Sequence, residues 1–269
     1  VVVLRCPTEE EMRWMRTGAL LVSMLHYGTR PKRVELLREL GVEALSIDGI
    51  VDDYGHRLVE NLSAVAWNGM EAAFQVLADI YPPPGLRSPD RPPIHVTLIG
   101  AGAVGGHTVQ AAVRYGNPDL QAELTKENVP GVIVTAVDRD ITCKQGIMQD
   151  ILSRTDMLVD ASARRDQTQP IIPNDWLAHL PKHAVILDLS VDPYEEMDGK
   201  HLVKGIEGIP QGNLNQYIFT PDDPAYDAIP DFVNTRYRRH AVSCYSWPGI
   251  DPYGSMYVYG EQMRPIMRT

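Results

Sequence analysis

The sequence predicts an α/β protein made of two doubly wound, largely parallel sheets, and three observations carry that reading. Short apolar runs alternate with amphipathic helical stretches, the β-α-β pattern that builds a parallel sheet with crossover helices. One of these runs, Ile94-His-Val-Thr-Leu-Ile99, leads directly into a turn of the form G-x-G-x-x-G. Between two such alternations lies a segment with Pro82, Pro83, Pro84, Pro89, Pro92 and Pro93, which cannot continue a helix and reads as an extended connector. Together they predict two Rossmann-like domains. Residues 1–60 rejoined by 250–269 form the first, and residues 61–249 the second.

The first domain reads as β-α-β-α-β. Val1 to Leu4 has the composition of a buried strand. Thr8-Glu-Glu-Glu11 is a capping box, in which hydroxyl and carboxylate satisfy the open amides of a short helix ending near Thr17-Gly18. Ala19 to Leu25 is a strand, Pro31 opens a helix that runs to Leu40 and stops at Gly41, and Val42 to Ile47 is a further strand. The chain opens on an element of the sheet, without an initiator methionine or a signal-like segment. The first domain is therefore expected to be incomplete at its N-terminus; if about 65 to 70 residues of β-α-β sequence precede Val1, as a domain of ordinary size allows, they would complete the catalytic half.

Leu62, Val65, Ala66, Ala73, Val76 and Leu77 recur at helical spacing, so a long helix is expected from about Leu58 to Ile80, bridging the domains. After the proline connector comes the glycine turn, Gly100-Ala-Gly102-Ala103-Val104-Gly105, followed by helix-compatible sequence to Tyr115. Gly100 permits a tight turn, Gly102 lets a pyrophosphate approach the backbone, and Gly105 lets the helix pack on the strand while its first amides face the phosphates. A glycine motif alone is weak, and its place between strand and helix gives it weight. A second apolar run, Gly131 to Val137, ends in Asp138, whose carboxylate can accept hydrogen bonds from an adenosine ribose. That favours NAD. Arg139 beside it would suit the 2′-phosphate of NADP, which the carboxylate repels. The glycine-to-acid interval exceeds the usual roughly 20 residues, and the polar stretch Asn117 to Pro130 reads as an insertion.

Strands are expected near Met157 to Ala161, Ala184 to Val191 and His240 to Tyr245, with a loop-rich stretch from Asp192 to Tyr237. Met256, Tyr259, Met263 and Met267 fall at helical intervals, so the tail is expected to be a helix folding back on the first domain, its methionines serving as core. The net charge of −10 argues against nucleic acid or an anionic membrane as the main partner. No run approaches the roughly 20 apolar residues of a membrane span. Three cysteines without metal-ligand spacing fit free thiols, and a cytoplasmic location is expected.

Val2-Val-Leu-Arg-Cys-Pro7, Leu20-Leu-Val-Ser-Met-Leu-His26, Leu62-Ser-Ala-Val-Ala66, the glycine turn, Leu187-Asp-Leu-Ser-Val-Asp192 and Ser246-Trp-Pro-Gly249 give most of the chain a resemblance to one family. It resembles the alanine dehydrogenases and the cofactor-binding subunit of nicotinamide nucleotide transhydrogenase. The resemblance implies two Rossmann-like domains with a cleft between them. It implies that Arg5 stands where the family has a substrate-binding lysine, His26 where it has the candidate proton-transfer histidine, and Asp192 where an aspartate sits beside the nicotinamide. Ala161 and Ser162 fall in the loop near the nicotinamide, and Leu62 and Ser246 line the substrate pocket.

The residues themselves suit that chemistry. His26 and Asp192 both end apolar runs, where an open α/β sheet binds its ligands. Oxidative deamination needs a base, a water-activating group and a cation for the carboxylate, and His26, Asp192 and Arg5 supply those functions. A histidine titrates near working pH. Plainer alternatives are a hydrogen-bonded histidine at a strand end, an aspartate capping the turn before Pro193, and a strand-edge arginine. The chain departs from the family at Arg5, at Leu62 and Ser246, and at Arg164-Arg165, two arginines that point to a further anionic group on the substrate. The expected function is therefore that of an NAD-dependent oxidoreductase acting on the CH–NH2 or CH–NH group of an amino acid, yielding a 2-oxo acid. A saccharopine- or opine-type dehydrogenase and a transhydrogenase-like or non-catalytic NAD(H)-binding protein are the alternatives. The resemblance also implies a homo-oligomer, dimer or hexamer.

Overall fold

The computed structural model describes residues 1–27, 30–164, 166–197 and 199–267. The chain divides into two compact units, Val1–Asn61 with Tyr253–Thr269, and Leu62–Pro252.

The first unit begins with α1 (Glu9–Arg13), β1 (Leu20–Ser23), α2 (Pro31–Glu39) and β2 (Glu43–Ser46). The capping box forms as its spacing demands, with Glu11 N–H donating to Thr8 Oγ1 at 3.2 Å and Thr8 N–H to Glu11 Oε2 at 2.7 Å. Strands β1 and β2 are parallel, Leu20 to Ser23 in register with Glu43 to Ser46. Their inner face packs Leu21 and Leu25 against Met12, Leu36, Leu37 and Val42. Val1 to Leu4 departs from expectation. It runs beside β1 through Val22 N–H to Val1 O (2.9 Å), Val3 N–H to Val22 O (3.0 Å) and Met24 N–H to Leu4 O (3.1 Å). Val1 and Val2 are nevertheless 64% and 55% exposed.

The second unit opens with α3 (Leu62–Ile80), followed by β3 (Ile94–Ile99), α4 (Ala103–Ala112), α5 (Pro118–Lys126), β4 (Val132–Val137), α6 (Arg139–Thr142), α7 (Gln145–Ser153), β5 (Met157–Asp160) and β6 (Val185–Asp188). A small antiparallel hairpin, β7 (Glu195–Met197) with β8 (Lys200–Leu202), precedes β9 (Ile218–Phe219) and β10 (His240–Ser243). The main sheet has six strands in the order β4-β3-β5-β6-β10-β9, parallel except for β9. Chain order reverses at β3. The segment after it pairs on one flank as β4, and β5 then returns to the other, which makes the C-terminal ends of β3 and β5 a topological switch point.

One face of the sheet packs Leu98, Val159, Leu187 and Val242 against Met70, Phe74, Leu77 and Ala111 of α3 and α4. The other packs Ile99, Leu158, Ile186 and Ala241 against Met148, Leu152 and Leu177. The connector from α3 to β3 is pinned by the buried Arg91, which donates to Leu86 O, Pro92 O and Tyr115 Oη at 2.5, 2.8 and 3.0 Å. The stretch Asn117 to Pro130, read as an insertion, contains α5. Asn117 Oδ1 caps it, accepting from Asp119 and Leu120 N–H at 3.1 Å, Pro118 takes the first helical position, and Leu124 is buried.

Helix α8 (Pro252–Ile266) carries most of its length into the first unit. Tyr259, Met263 and Ile266 join Val22, Ile47 and Val59, and Gln262 bonds both the N–H and the C=O of Glu60, at 3.0 and 2.8 Å. Met256 and Met267 are 55% and 59% exposed, so only part of the methionine stripe is core. Among the described residues, no helix is long and apolar enough to cross a membrane.

Candidate functional site

The last residues of five parallel strands lie in one row, Val137, Ile99, Asp160, Asp188 and Ser243, as register partners across the sheet. The loops leaving these strand ends form the crest where ligands of an open sheet bind. At the switch point, Gly100 (φ +90°) turns the chain out of β3, its N–H held by Val137 O at 2.9 Å. A side chain there would meet Ala161 O at 2.8 Å and Ser162 Cα at 2.9 Å, so the glycine turn and the loop after β5 are pressed together. A Cβ on Gly105 would overlap the carbonyl oxygen of Gly100, which explains how closely α4 approaches the strand. A Cβ on Gly102 would meet nothing within 4 Å.

Gly102 caps α4 with no side chain bonded to the first turn. The leading amides of that turn, at Ala103, Val104 and Gly105, have no intrahelical acceptor. Donors at a helix N-terminus, bare backbone at Gly102 and open space above it fit an anionic phosphate group. Asp138 follows β4 on the same crest and is exposed. Its Oδ1 accepts from Arg139 N–H at 2.7 Å, capping α6, while Arg139 also points to solvent.

Asp192 is not open. Arg164 Nη2 donates to its Oδ2 at 2.6 Å and Gln167 Nε2 to its Oδ1 at 3.1 Å, with only 5% of the Arg164 side chain and 14% of the Asp192 side chain exposed. Arg164 also donates to Gln169 O and Val203 O at 2.8 and 2.5 Å. The guanidinium expected to hold an anionic substrate is thus consumed within the unit, and Arg165 lies outside the described residues. Val191, just before Asp192, has φ +53°, an outlying conformation for a β-branched residue, held by a bond from its N–H to Asp188 Oδ1 at 2.8 Å. Ser246 stands at the N-cap position of the short helical turn Trp247–Ile250 without a side-chain capping bond, and Leu62 is half-buried at the start of α3.

In the first unit His26 has φ +50°, again left-handed, at the C-terminal end of β1. Asp48 grips it. Its Oδ1 accepts the N–H groups of Leu25 and His26 at 3.0 and 3.2 Å and the Ser46 hydroxyl at 2.6 Å, and its Oδ2 lies 3.4 Å from His26 Nδ1. Burial alone would raise Asp48, but the bonds from His26 and Ser46 outweigh it and hold the carboxyl well below the ordinary range. From α2, Arg33 Nη1 donates to Leu25 O at 2.6 Å. Arg5 is exposed, its guanidinium 3.8 Å from Glu11. Burial raises the Cys6 thiol against the pull of Arg33 and Arg5. Two of the four non-glycine residues with positive φ among those described are therefore His26 and the neighbour of Asp192; the other two, Tyr115 and Asn128, follow helices. Such conformations persist where the surroundings enforce them, and they cluster at active sites.

No protein-family model and no curated protein sequence matches the chain. Solved structures do. L-alanine dehydrogenase superposes with a TM-score of 0.65 over 97% of this chain and 68% of that one, at 16% identity. The fold is similar to that of L-alanine dehydrogenase. A transhydrogenase from Sinorhizobium meliloti gives 0.60 over 99% of this chain and 72% of that one, at 13% identity. What L-alanine dehydrogenase and the transhydrogenase share with this chain is a dehydrogenase-like fold, across nearly its whole length.

Several polar residues of these sites escaped the sequence reading. Asp48, Asp160 and Asp188 each stand at or just past the end of an apolar strand, as Asp138 does, and that shared position was the available signal. Lys204, whose Nζ donates to Asp188 Oδ2 at 2.8 Å, gave none, because a lysine in a loop-rich stretch is normally solvated.

Proposed function

We propose that the protein is an NAD-dependent oxidoreductase acting on the CH–NH2 or CH–NH group of an amino acid, releasing a 2-oxo acid. The observation that carries this reading is the glycine cradle at the switch point, where a Cβ at Gly100 or Gly105 would strike backbone while one at Gly102 would enter open space beside the α4 amides. Gly100, Gly102, Ala103, Val104 and Gly105 take the pyrophosphate. Asp138 takes the adenosine ribose and, with its exposed negative charge, favours NAD over NADP. Ala161 and Ser162 border the cradle from the next strand.

A bound nicotinamide supplies the hydride acceptor. The chain supplies the proton chemistry. His26 presents an imidazole whose Nδ1 lies 3.4 Å from Asp48 Oδ2, and the ring takes the substrate proton. Arg5 holds the substrate carboxylate, and Leu62 and Ser246 shape the pocket. Asp192, both oxygens engaged by Arg164 and Gln167, acts as a fixed charge and not as a proton carrier. Calorimetry with NAD and NADP, followed by nicotinamide absorbance across a panel of amino and imino acids, tests the reading. NAD binding with turnover of one substrate class supports it. NAD binding with no turnover removes the catalytic half, and no binding removes all of it.

A further inference from the structure

Asp160, at the end of β5, is 1% exposed and has ordinary apolar sheet below it. Its Oδ1 accepts the N–H of Ser162 at 3.0 Å, and Ser162 is the residue whose Cα closes on Gly100. Asp160 therefore anchors one wall of the cradle. Its Oδ2 is crowded by the backbone at Gly205, where no Cβ fits, and lies 3.0 Å from Ser190 Oγ. The same hydroxyl is 3.2 Å from Asp188 Oδ1. Asp188 is buried to the same degree. Its Oδ2 takes Lys204 Nζ at 2.8 Å and Ser243 Oγ at 3.0 Å, with the Tyr194 ring 5.7 Å from that ammonium.

The charged groups of this cluster are two carboxylates and one ammonium, and the ammonium bonds Asp188. Ser190 has one hydrogen to place between two carboxylate oxygens. With both acids ionised, one of the two approaches to Ser190 lacks a hydrogen and a second negative charge is buried with no cation bonded to it. A proton on Asp160 Oδ2 resolves both. Asp160 then donates to Ser190 Oγ, Ser190 donates to Asp188 Oδ1, and the ion pair of Asp188 with Lys204 closes the chain. We infer that Asp160 is a positioning residue that carries a proton and couples it, through Ser162, to the arrival of an anionic phosphate ligand in the glycine cradle. The inference rests on the dinucleotide reading above for the identity of that ligand.

Burial, reinforced by the Asp188 charge, pushes Asp160 up to about 6. Negative charge arriving nearby raises it further, so near neutral pH binding takes up a proton and affinity falls as pH rises. The test has two arms. Carboxyl 13C NMR of the full chain without ligand should show one aspartate titrating near about pH 6, absent in Asp160→Asn. NAD affinity should fall by up to about tenfold per pH unit above that value in the wild type, and stay flat in Asp160→Asn. The asparagine keeps the acceptor for Ser162 N–H, so loss of the wall does not explain the flattening. Ser190→Ala, which removes the hydroxyl that accepts the Asp160 proton and donates to Asp188, should displace the titration from its wild-type position and the affinity profile together with it. A missing titration, or equal slopes in wild type and Asp160→Asn, overturns the inference. If the titration is present but NAD binds at no pH, the dinucleotide reading falls and takes the coupling with it, while the proton on Asp160 stands.

Discussion

Lys204→Met is the most direct test of what holds the crest together. Lys204 Nζ sits 2.8 Å from Asp188 Oδ2, and both side chains are 1% exposed. The substitution keeps the bulk of the lysine stem and removes the charge, leaving the Asp188 carboxylate buried with only neutral donors, chiefly Val191 N–H and Ser243 Oγ. Stranding one member of a buried pair costs about 3–5 kcal/mol. At roughly 2–4 °C per kcal/mol for a domain of this size, the melting temperature should fall by roughly 6–20 °C.

The pH dependence should change sign. In the wild type burial pushes Asp188 up, but Lys204 outweighs it and the carboxyl titrates below its ordinary range. Its stabilising contribution is then present above the unfolded pKa and lost as pH falls through the folded one. Without Lys204, burial dominates and the folded pKa rises above the unfolded value. Stability is then lost as pH rises, so the deficit should be largest near about pH 8 and shrink toward about pH 5. Circular-dichroism melts across that range read both quantities, and Lys204→Met combined with Asp188→Asn should recover part of the loss. An unchanged melting temperature, or a deficit that does not vary with pH, would refute the reasoning.

The remaining predictions concern the cradle and the proton-transfer pair. Gly102→Val should fold like the wild type and lose NAD binding in calorimetry, whereas Gly105→Ala should be destabilised by about 1–3 kcal/mol in denaturant melts, since its Cβ overlaps Gly100 O. Asp138→Ala should weaken NAD by about 1.5–3 kcal/mol, roughly 10- to 150-fold; unchanged affinity would remove Asp138 from the ribose site. His26→Ala should lower turnover by about 10²–10⁴-fold while leaving NAD affinity intact. A parallel loss of binding would contradict its assigned role.

Much of the fold was legible because period and punctuation agree. Pro31 and Gly41 bracket α2, the proline connector separates α3 from β3, and the glycine turn joins strand to helix. Helix α5 was hidden by its polar composition, although Asn117-Pro118 is a helix start. At the site, glycines are readable because each answers a steric demand of the backbone. Side-chain pairings are not. The grip of Asp48 on His26 and the hold of Arg164 on Asp192 link segments far apart in sequence, and nothing local to Arg164 distinguishes an arginine awaiting a substrate from one already engaged.

The first unit is discontinuous: Val22, Ile47 and Val59 find part of their core only when α8 reaches them. During synthesis, the segment through Asn61 must wait for the whole of Leu62–Pro252 to emerge before its missing helix leaves the ribosome. A deletion of α8 would therefore injure the unit that holds Val1–Asn61 first, and the intervening unit is the part expected to fold cotranslationally on its own.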